Sequence, residues 1–510
     1  MNEKIRVHKK NEVFLYLETD NSVEMELWEF FSFFAVGYQW MPAYKNKMWD
    51  GKIRLFDRKL KTLYGGLFPY LQEFADARKC ELEIVGGWSN RANTVRPDEL
   101  MDFVKGLNLH AHGKDIAPRD YQMEAIYRTL IDQKRLLLSP TASGKSLIIY
   151  ILIRKFLRDR MLRSDPSGLQ KVLLVVPTTS LVEQMYSDFA DYSKNDPTWD
   201  NTASCHRIYS GKEKINIDQS VIITTWQSIY KLPSSWFAPY GMVIGDEAHN
   251  FKAKSLAAIM EKLVNAVYRV GTTGTLDGTQ THKLVLEGLF GPVYQVTTTR
   301  ALMDSDTLAK LKLDVLLLKY GDEYCKLVNK MDYQEEIDFI VTHTPRNKFI
   351  RNLAMAQEGN TLVLYNYVEK HGKPLYDMIK AKLQEQGSER KLFFVSGGVE
   401  TDERERIRAI TEGEKDAIIV ASLGTFSTGI NIRNLHNIVF ASPSKSQIRV
   451  LQSIGRGLRK SDNGKPTRVF DVADDLHWKK SRNYTLDHAA ERVKIYGKER
   501  FDHEIHEVKL

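Results

Sequence analysis

The stretch Leu137-Leu-Ser-Pro-Thr-Ala-Ser-Gly-Lys-Ser146 joins an apolar strand to the apolar helical run Leu147–Ile153 through a loop of small residues. Successive amides of such a loop point inward around anionic oxygens, and the helix that follows offers the positive end of its dipole. That chemistry predicts a bound nucleoside triphosphate, with Lys145 on the β/γ-phosphates and the Ser146 hydroxyl on Mg²⁺. Thr141, Ser143 and Gly144 complete the expected cradle. The generic pattern opens on Gly, and Ser139 holds that place here. Taken alone, the loop is also compatible with an ordinary small-residue turn.

Working outward, the sequence from about Leu136 to Val296 alternates short buried-strand runs with helical stretches. Strands are predicted at Val172–Val176, Val221–Thr225, Met242–Ile244 and Tyr268–Gly271. A second alternation follows, with strands at Thr361–Tyr365, Leu392–Val395, Ala417–Ala421, Ile438–Ala441 and Val469–Val472. Two such series imply an α/β chain of two tandem, doubly wound parallel-sheet lobes. The first hundred residues read differently, as a small α+β N-terminal domain. Glu24–Phe34 has the pattern of an amphipathic helix, and the Asp-Gly pair in Met48-Trp-Asp-Gly-Lys-Ile-Arg-Leu55 signals a hairpin. The predicted division is 1–100 for a nucleic-acid-binding domain, 101–300 and 301–475 for the lobes, and 476–510 for a helical extension. Arg91–Pro118 reads as a tether, and the charged, helix-leaning segment 297–359 as a connector between lobes.

Bulk properties agree with a large globular chain. At 510 residues it exceeds one core, and with 43% hydrophobic and 27% charged residues it has ample material for several. Its longest apolar runs fall far short of a membrane span, and its first residues are charged rather than signal-like, so no membrane association is expected. Three isolated cysteines fit neither a disulfide framework nor a zinc site. The net charge of +8 permits a polyanionic partner without requiring one. His503 and His506 read as part of a solvated tail.

Met242-Val-Ile-Gly-Asp-Glu-Ala-His249 is the second decisive run. Its strand delivers two adjacent carboxylates to the C-terminal end, where doubly wound sheets bind ligands. Asp246 is suited to hold Mg²⁺, and Glu247 to orient and deprotonate an attacking water. A helix N-cap Asp with a first-turn Glu is the bland alternative.

With these runs in order, the chain resembles a superfamily 2 nucleic-acid helicase over roughly Ile116–Ala473, which implies RecA-like lobes and ATP with Mg²⁺ as cofactors. Arg119-Asp-Tyr-Gln122 is similar to the family's adenine-recognition motif, implying that Arg119 stacks on the base and Gln122 reads its edge. Asp246-Glu-Ala-His249 spells the DEAH form of the second motif, which places His249 among the catalytic residues. Thr273-Gly-Thr275 stands where the family couples hydrolysis to movement, with Gly as a departure at its centre. Gln452-Ser-Ile-Gly-Arg-Gly-Leu-Arg459 resembles the sixth motif, so Arg456 and Arg459 are expected to neutralise charge on the transferred phosphoryl group. Ser427-Thr-Gly-Ile-Asn431 resembles the fifth, implying Gly429 and Asn431 at the nucleotide and Ser427 at a strand. By the same resemblance Pro177, Thr178, Lys212, Thr225, Gln227 and Asn366 touch the phosphate backbone, with Glu369 and His371 beside Asn366. Loop capping is the alternative for each.

Between Pro42 and Tyr64 lie seven Lys/Arg and two Asp, interleaved with Tyr44, Trp49, Phe56 and Tyr64. A basic, aromatic-bearing hairpin suits nucleic acid, and Trp49, Lys52 and Arg54 are its candidate contacts. Trp49-Asp-Gly-Lys-Ile-Arg-Leu55, Thr425-Phe-Ser-Thr-Gly429 and Val450-Leu-Gln-Ser-Ile-Gly455 resemble the phage recombination and repair helicases of that superfamily. The resemblance implies an ATP-dependent helicase or translocase, a monomer in the cytoplasm of a bacterial host. Its expected substrates are branched DNA (forks, Holliday junctions) and RNA–DNA hybrids in R-loops. Two rivals remain open on sequence alone: an RNA helicase of the same architecture, and an ATP-switched annealing protein that does not unwind.

Overall fold

The computed structural model describes the chain apart from residues 1–2, 36, 87, 89–93, 141, 163–168, 210, 212, 216, 253, 277–279, 306, 308–309, 397–412, 425–433 and 444–466. By compactness it divides into Met1–Ser139 with Gly144–Val296, and Pro140–Ser143 with Thr297–Leu510.

The first unit holds two sheets. Near the N-terminus, five strands run in the order Phe56–Asp57, Thr62–Tyr64, Phe14–Glu18, Lys4–Lys9, Glu81–Val85. Alternation decides which face is covered: Ile5, Val7, Leu15 and Leu17 point inward onto Val23 and Leu27 of the helix Asn21–Phe30 and Leu71 and Phe74 of Phe68–Arg78. The helix expected over Glu24–Phe34 stops at Phe30, because Ser32–Phe34 leaves it to pair antiparallel with Lys52–Arg54. The Asp-Gly pair therefore makes no hairpin. Gly51 instead accepts from the Ala35 amide at 2.8 Å, and a true hairpin forms one turn later, between Phe56–Asp57 and Thr62–Tyr64.

The larger sheet has seven strands, all parallel: Cys205–Ile208, Val221–Thr225, Lys171–Val176, Tyr240–Asp246, Tyr268–Thr273, Lys134–Leu138, Val293–Gln295. Continuous aliphatic runs such as Val172–Val176 fit strands covered on both faces. Pro97–Gly106, inside the segment that reads as a tether, is a helix whose Leu100, Phe103 and Val104 are buried in this lobe's core.

The N-terminal sheet has its own core, and that core continues into Leu284 of the helix Gln280–Phe290. Tyr64 and Tyr70 donate from their hydroxyls to Glu261 and Glu287, each at 2.6 Å. Burial and the adjacent carboxylate push both phenols well above their ordinary pKa. Lys134 pairs with the Glu12 carboxylate at 3.1 Å and donates to the Glu12 carbonyl at 2.9 Å. Burial lowers the Lys134 ammonium to about 8. At Gly66 the two backbones meet.

The second unit is also a seven-stranded parallel sheet: Lys391–Val395, Ala417–Ser422, Thr361–Tyr365, Asn437–Phe440, Thr467–Asp475, Leu311–Lys319, His503–Lys509. Two of these strands correct the sequence reading. The connector contains Leu311–Lys319, and the tail, helical over Tyr484–Lys498, ends as an edge strand. Asp314 breaks the apolar run of the first, but it is held by Arg468 and by His506, each at 3.2 Å. Asp314, Glu504 and His506 thus gather, where the sequence suggests only a solvated tail. Arg346 is wholly buried and forms a two-point bond to Asp474 at 2.6 and 2.9 Å, with the Tyr320 hydroxyl donating to the same carboxylate.

A Cβ added at Gly66 would lie 2.0 Å from the Glu287 carbonyl oxygen, which backbone cannot yield. Gly66→Ala should therefore destabilise the docked N-terminal sheet by about 1–3 kcal/mol, read as a lower first transition in thermal denaturation. An unchanged transition would contradict this docking.

Candidate active site

Three neighbouring strands of the first lobe end at one place. Lys134–Leu138 leads into the loop before Lys145, Tyr240–Asp246 ends on the acidic pair, and Tyr268–Thr273 lies between them. Parallel strands put all three C-termini on the same edge, so sequence positions more than a hundred apart converge there. Lys145 opens the helix Lys145–Leu162 and donates to the Ser139 carbonyl at 3.3 Å; the Ser139 amide in turn donates to Thr273 at 2.8 Å.

Asp246 terminates a strand buried along all seven residues. Burial and the neighbouring Glu247 raise its pKa, Lys145 opposes them, and the Thr272 hydroxyl donates to Oδ1 at 2.7 Å. Glu247 takes a left-handed backbone, φ 49°, which is costly for a residue with a side chain and characteristic of functional sites. His249 Nδ1 lies 3.4 Å from the Glu247 carboxylate and 3.0 Å from the Thr273 hydroxyl. The acidic motif and the Thr273-Gly-Thr275 motif are thereby joined by one imidazole.

Gln122 sits over the loop. Its Oε1 accepts from the Arg119 amide at 2.8 Å, closing a capping box at the start of the helix Asp120–Asp132. Gly144 has φ 80°, a conformation that demands glycine, and a Cβ there would lie 2.2 Å from Gln122 Nε2 and displace that amide from the loop. The Arg119 side chain is exposed and donates to the Tyr121 hydroxyl at 2.9 Å. Ser146 Oγ lies 2.8 Å from the Tyr192 hydroxyl, and Ser143 Oγ donates to the Pro140 carbonyl at 2.7 Å. Oxygen donors from Ser146 and Asp246 are the hard ligands that Mg²⁺ prefers, and the raised pKa of Asp246 marks negative charge that a cation would relieve. Thr272 and Tyr192 carry no signal in the sequence; only the fold brings them to Asp246 and Ser146.

The remaining expected residues fare variously. Thr178 caps the helix Thr179–Tyr192, its side chain accepting from the Leu181 amide, and Thr225 Oγ1 lies 3.0 Å from Ser228 Oγ. Pro177, Thr178, Thr225 and the exposed Gln227 follow adjacent strands at the same sheet edge as Asp246. In the second unit Asn366 donates to the Pro443 carbonyl at 3.1 Å, Glu369 pairs with Lys373 at 2.7 Å, and His371 is buried against Ser442 at 2.7 Å. Burial, then Arg346, pushes His371 well below its ordinary pKa. In the N-terminal module, Trp49 donates to the Lys52 carbonyl at 2.9 Å, Lys52 pairs with Glu29 at 2.6 Å, and Arg54 binds Asp50 in a two-point contact while stacking 4.1 Å from the Trp28 ring centre. Thr141, Lys212, Ser427, Gly429, Asn431, Arg456 and Arg459 lie outside the described residues.

Family models match along the chain in the order that this geometry suggests. Residues 4–84 match the N-terminal domain of DNA helicase UvsW, 115–278 the res subunit of type III restriction enzymes, and 345–461 the conserved helicase C-terminal domain. The ATP-dependent DNA helicase UvsW of Enterobacteria phage T4 is 33% identical over 99% of this chain and 100% of its own length. This chain belongs to the UvsW family of superfamily 2 helicases. Members are ATP-dependent enzymes acting on DNA. The crystal structure of T4 UvsW aligns with a TM-score of 0.52 at 32% identity, covering 99% of each chain. More distantly, the DNA 3'-5' translocase XPB2 of Sulfurisphaera tokodaii is 22% identical over 68% of this chain and 79% of its own.

In this family Asp246→Asn is a discriminating substitution. Asn keeps an acceptor for Thr272 but removes repulsion with Glu247, so the thermal midpoint at neutral pH should hold or rise. If Asp246 is the charged Mg²⁺ ligand that its position suits it to be, ATP hydrolysis should fall by about 10²-fold or more. A fall in stability matching the fall in activity would contradict this account of the pair.

Proposed function

We propose that this chain is a monomeric, ATP-driven motor that remodels branched DNA — forks, Holliday junctions and R-loops — in recombination, replication and repair, in the cytoplasm of a phage-infected host. The observation that carries the reading is the meeting of Lys145, Asp246, Glu247 and Thr273 at three adjacent strand ends, beside a docked module matched by the UvsW N-terminal model. Lys145 holds the β/γ-phosphates, and Gln122 with Arg119 receives the adenine. Ser146 and Asp246 would hold Mg²⁺, which when bound would supply charge neutralisation on the terminal phosphates. Glu247 orients a water and accepts its proton; His249 passes the state of that carboxylate to Thr273 through contacts of 3.4 and 3.0 Å. Arg456 and Arg459 are assigned the phosphoryl charge, and Ser427, Gly429 and Asn431 their strand and nucleotide contacts, on the sequence motifs alone. Among the described residues, no helix is long and apolar enough to cross a membrane.

Lys145→Ala tests the motor. DNA-stimulated ATP hydrolysis should fall by roughly 10²–10³-fold, as for loss of one preorganised charge donor, while fork binding stays within about twofold. Strand displacement on forks, junctions and R-loops should vanish with it. Full ATPase activity in the variant would overturn the assignment, and equal stimulation of the wild type by RNA would overturn the preference for DNA.

A further inference from the structure

The cations of the basic N-terminal segment are mostly spent. Lys52 is paired with Glu29, Arg54 with Asp50, and Arg58 and Lys61 with Glu24. Asp50 is held far below the usual carboxylate range by Arg54. Trp49 is half-buried, its indole N–H already bonded. The residues that the sequence marks as nucleic-acid contacts therefore build the module.

What they build is a pedestal. Phe34 stacks on Tyr38 at 4.5 Å, Tyr44 meets Tyr38 edge-on at 4.7 Å, and the Tyr38 ring packs against Gly51 where a side chain would be. Short helical turns at Tyr38–Trp40 and Pro42–Lys45 lock the backbone with hydrogen bonds of 2.8–3.1 Å. From this rigid base project two large apolar side chains: Trp40 is 78% exposed and Met48 81%. Tyr44, Lys45, Lys47 and Met48, with Trp49 and the Arg54-paired Asp50, line an open cup of about 570 Å³, and Trp40 stands outside it beside Lys45. Among the described residues, Lys45 and Lys47 have no carboxylate partner, and the Lys45 ammonium lies 5.6 Å from the Trp40 ring centre. Exposed apolar surface on an ordered scaffold, rimmed by unspent cations, marks an interaction site.

We infer that Trp40 is a wedge that stacks on the first unpaired base at a DNA branch point, with Lys45 beside it and Lys47 at the neighbouring cup on the flanking phosphates. This rests on the proposed DNA substrate and deepens it by naming the element that distinguishes a branch from plain duplex. The chemistry is economical: a planar ring receives a base of any sequence, and an unpaired base is present at a fork or loop and absent from plain duplex. Two ammonium groups fix the strand beside it without reading sequence.

The test uses the full chain, without nucleotide, and a fork carrying 2-aminopurine at its first unpaired position. Wild type should change the fluorescence of that base; Trp40→Ala should abolish the change and weaken fork binding at least about fivefold, the lower end for loss of one stacked base. Trp40→Phe should restore much of both. Affinity for blunt duplex of the same length should fall far less than for the fork. Because Trp40 is so exposed, circular dichroism and the thermal midpoint of Trp40→Ala should match wild type. Unchanged fluorescence in the Ala variant, or equal loss on fork and duplex, overturns the wedge and leaves the motor standing. Equal binding of wild type to anionic phosphatidylglycerol vesicles, lost in Trp40→Ala, would make it a membrane contact and also overturn it. Wild type that stacks on the base yet displaces no strand with ATP would instead sink the motor and leave the wedge.

Discussion

Two carboxylates side by side at the end of a fully buried strand have to be balanced, and much of the first lobe is arranged around that need. Asp246 lies against the Thr272 hydroxyl, with the Lys145 charge pulling against both burial and Glu247. Neither a neutral hydrogen bond nor a single ammonium fully compensates buried like charges. The pair is therefore built to be completed by further cationic charge. Seven parallel strands make the arrangement possible, because only a sheet covered on both faces delivers Lys145, Asp246 and Thr273 to one edge while keeping water from their stems.

Rigidity at that edge carries a conformational cost. Glu247 sits at φ 49°, in the left-handed region where side chains are disfavoured. Such strain persists only where the surroundings over-determine it. The buried strand before Glu247 does so. His249, set between the Glu247 carboxylate and the Thr273 hydroxyl, then links that carboxylate to the end of the neighbouring strand.

Legibility in the sequence follows how local each signal is. Val221–Thr225 and Thr361–Tyr365 form strands with the expected bounds, because uninterrupted aliphatic runs between turn residues have few other uses. Leu311–Lys319 reads as connector because Lys312 and Asp314 break its pattern, and the partners that make Asp314 tolerable, Arg468 and His506, lie more than 150 residues away. His503–Lys509 sets only Ile505 and Val508 among charged and polar side chains, as a solvated tail does, and becomes a strand where Leu311–Lys319 leaves an edge to pair. The Asp50-Gly51 pair misleads for a similar reason: the strand that pairs with Lys52–Arg54, Ser32–Phe34, precedes it by almost twenty residues. In the active site the motif residues are legible and their supports are not. Thr272 and Tyr192 are ordinary residues made consequential by position.

The N-terminal module shows why charge counting along a sequence overstates binding. A local balance of five positive charges shrinks once Glu24 and Glu29, remote in sequence, fold back onto Lys52, Arg58 and Lys61. Those ion pairs lie at the surface and are individually weak, so their main effect is geometric: they fix long side chains that would otherwise be free to meet phosphate. Docking adds a second constraint. Tyr64, Tyr70 and Lys134 bind the module to the ATP-binding lobe through partly buried hydrogen bonds and an ion pair, with Gly66 in backbone contact. A surface so attached cannot swing independently of the lobe that carries Lys145. On the proposed reading, a branch point held by that surface would move with the ATP-binding lobe, and selectivity would need no separate hinge to be coupled to the motor.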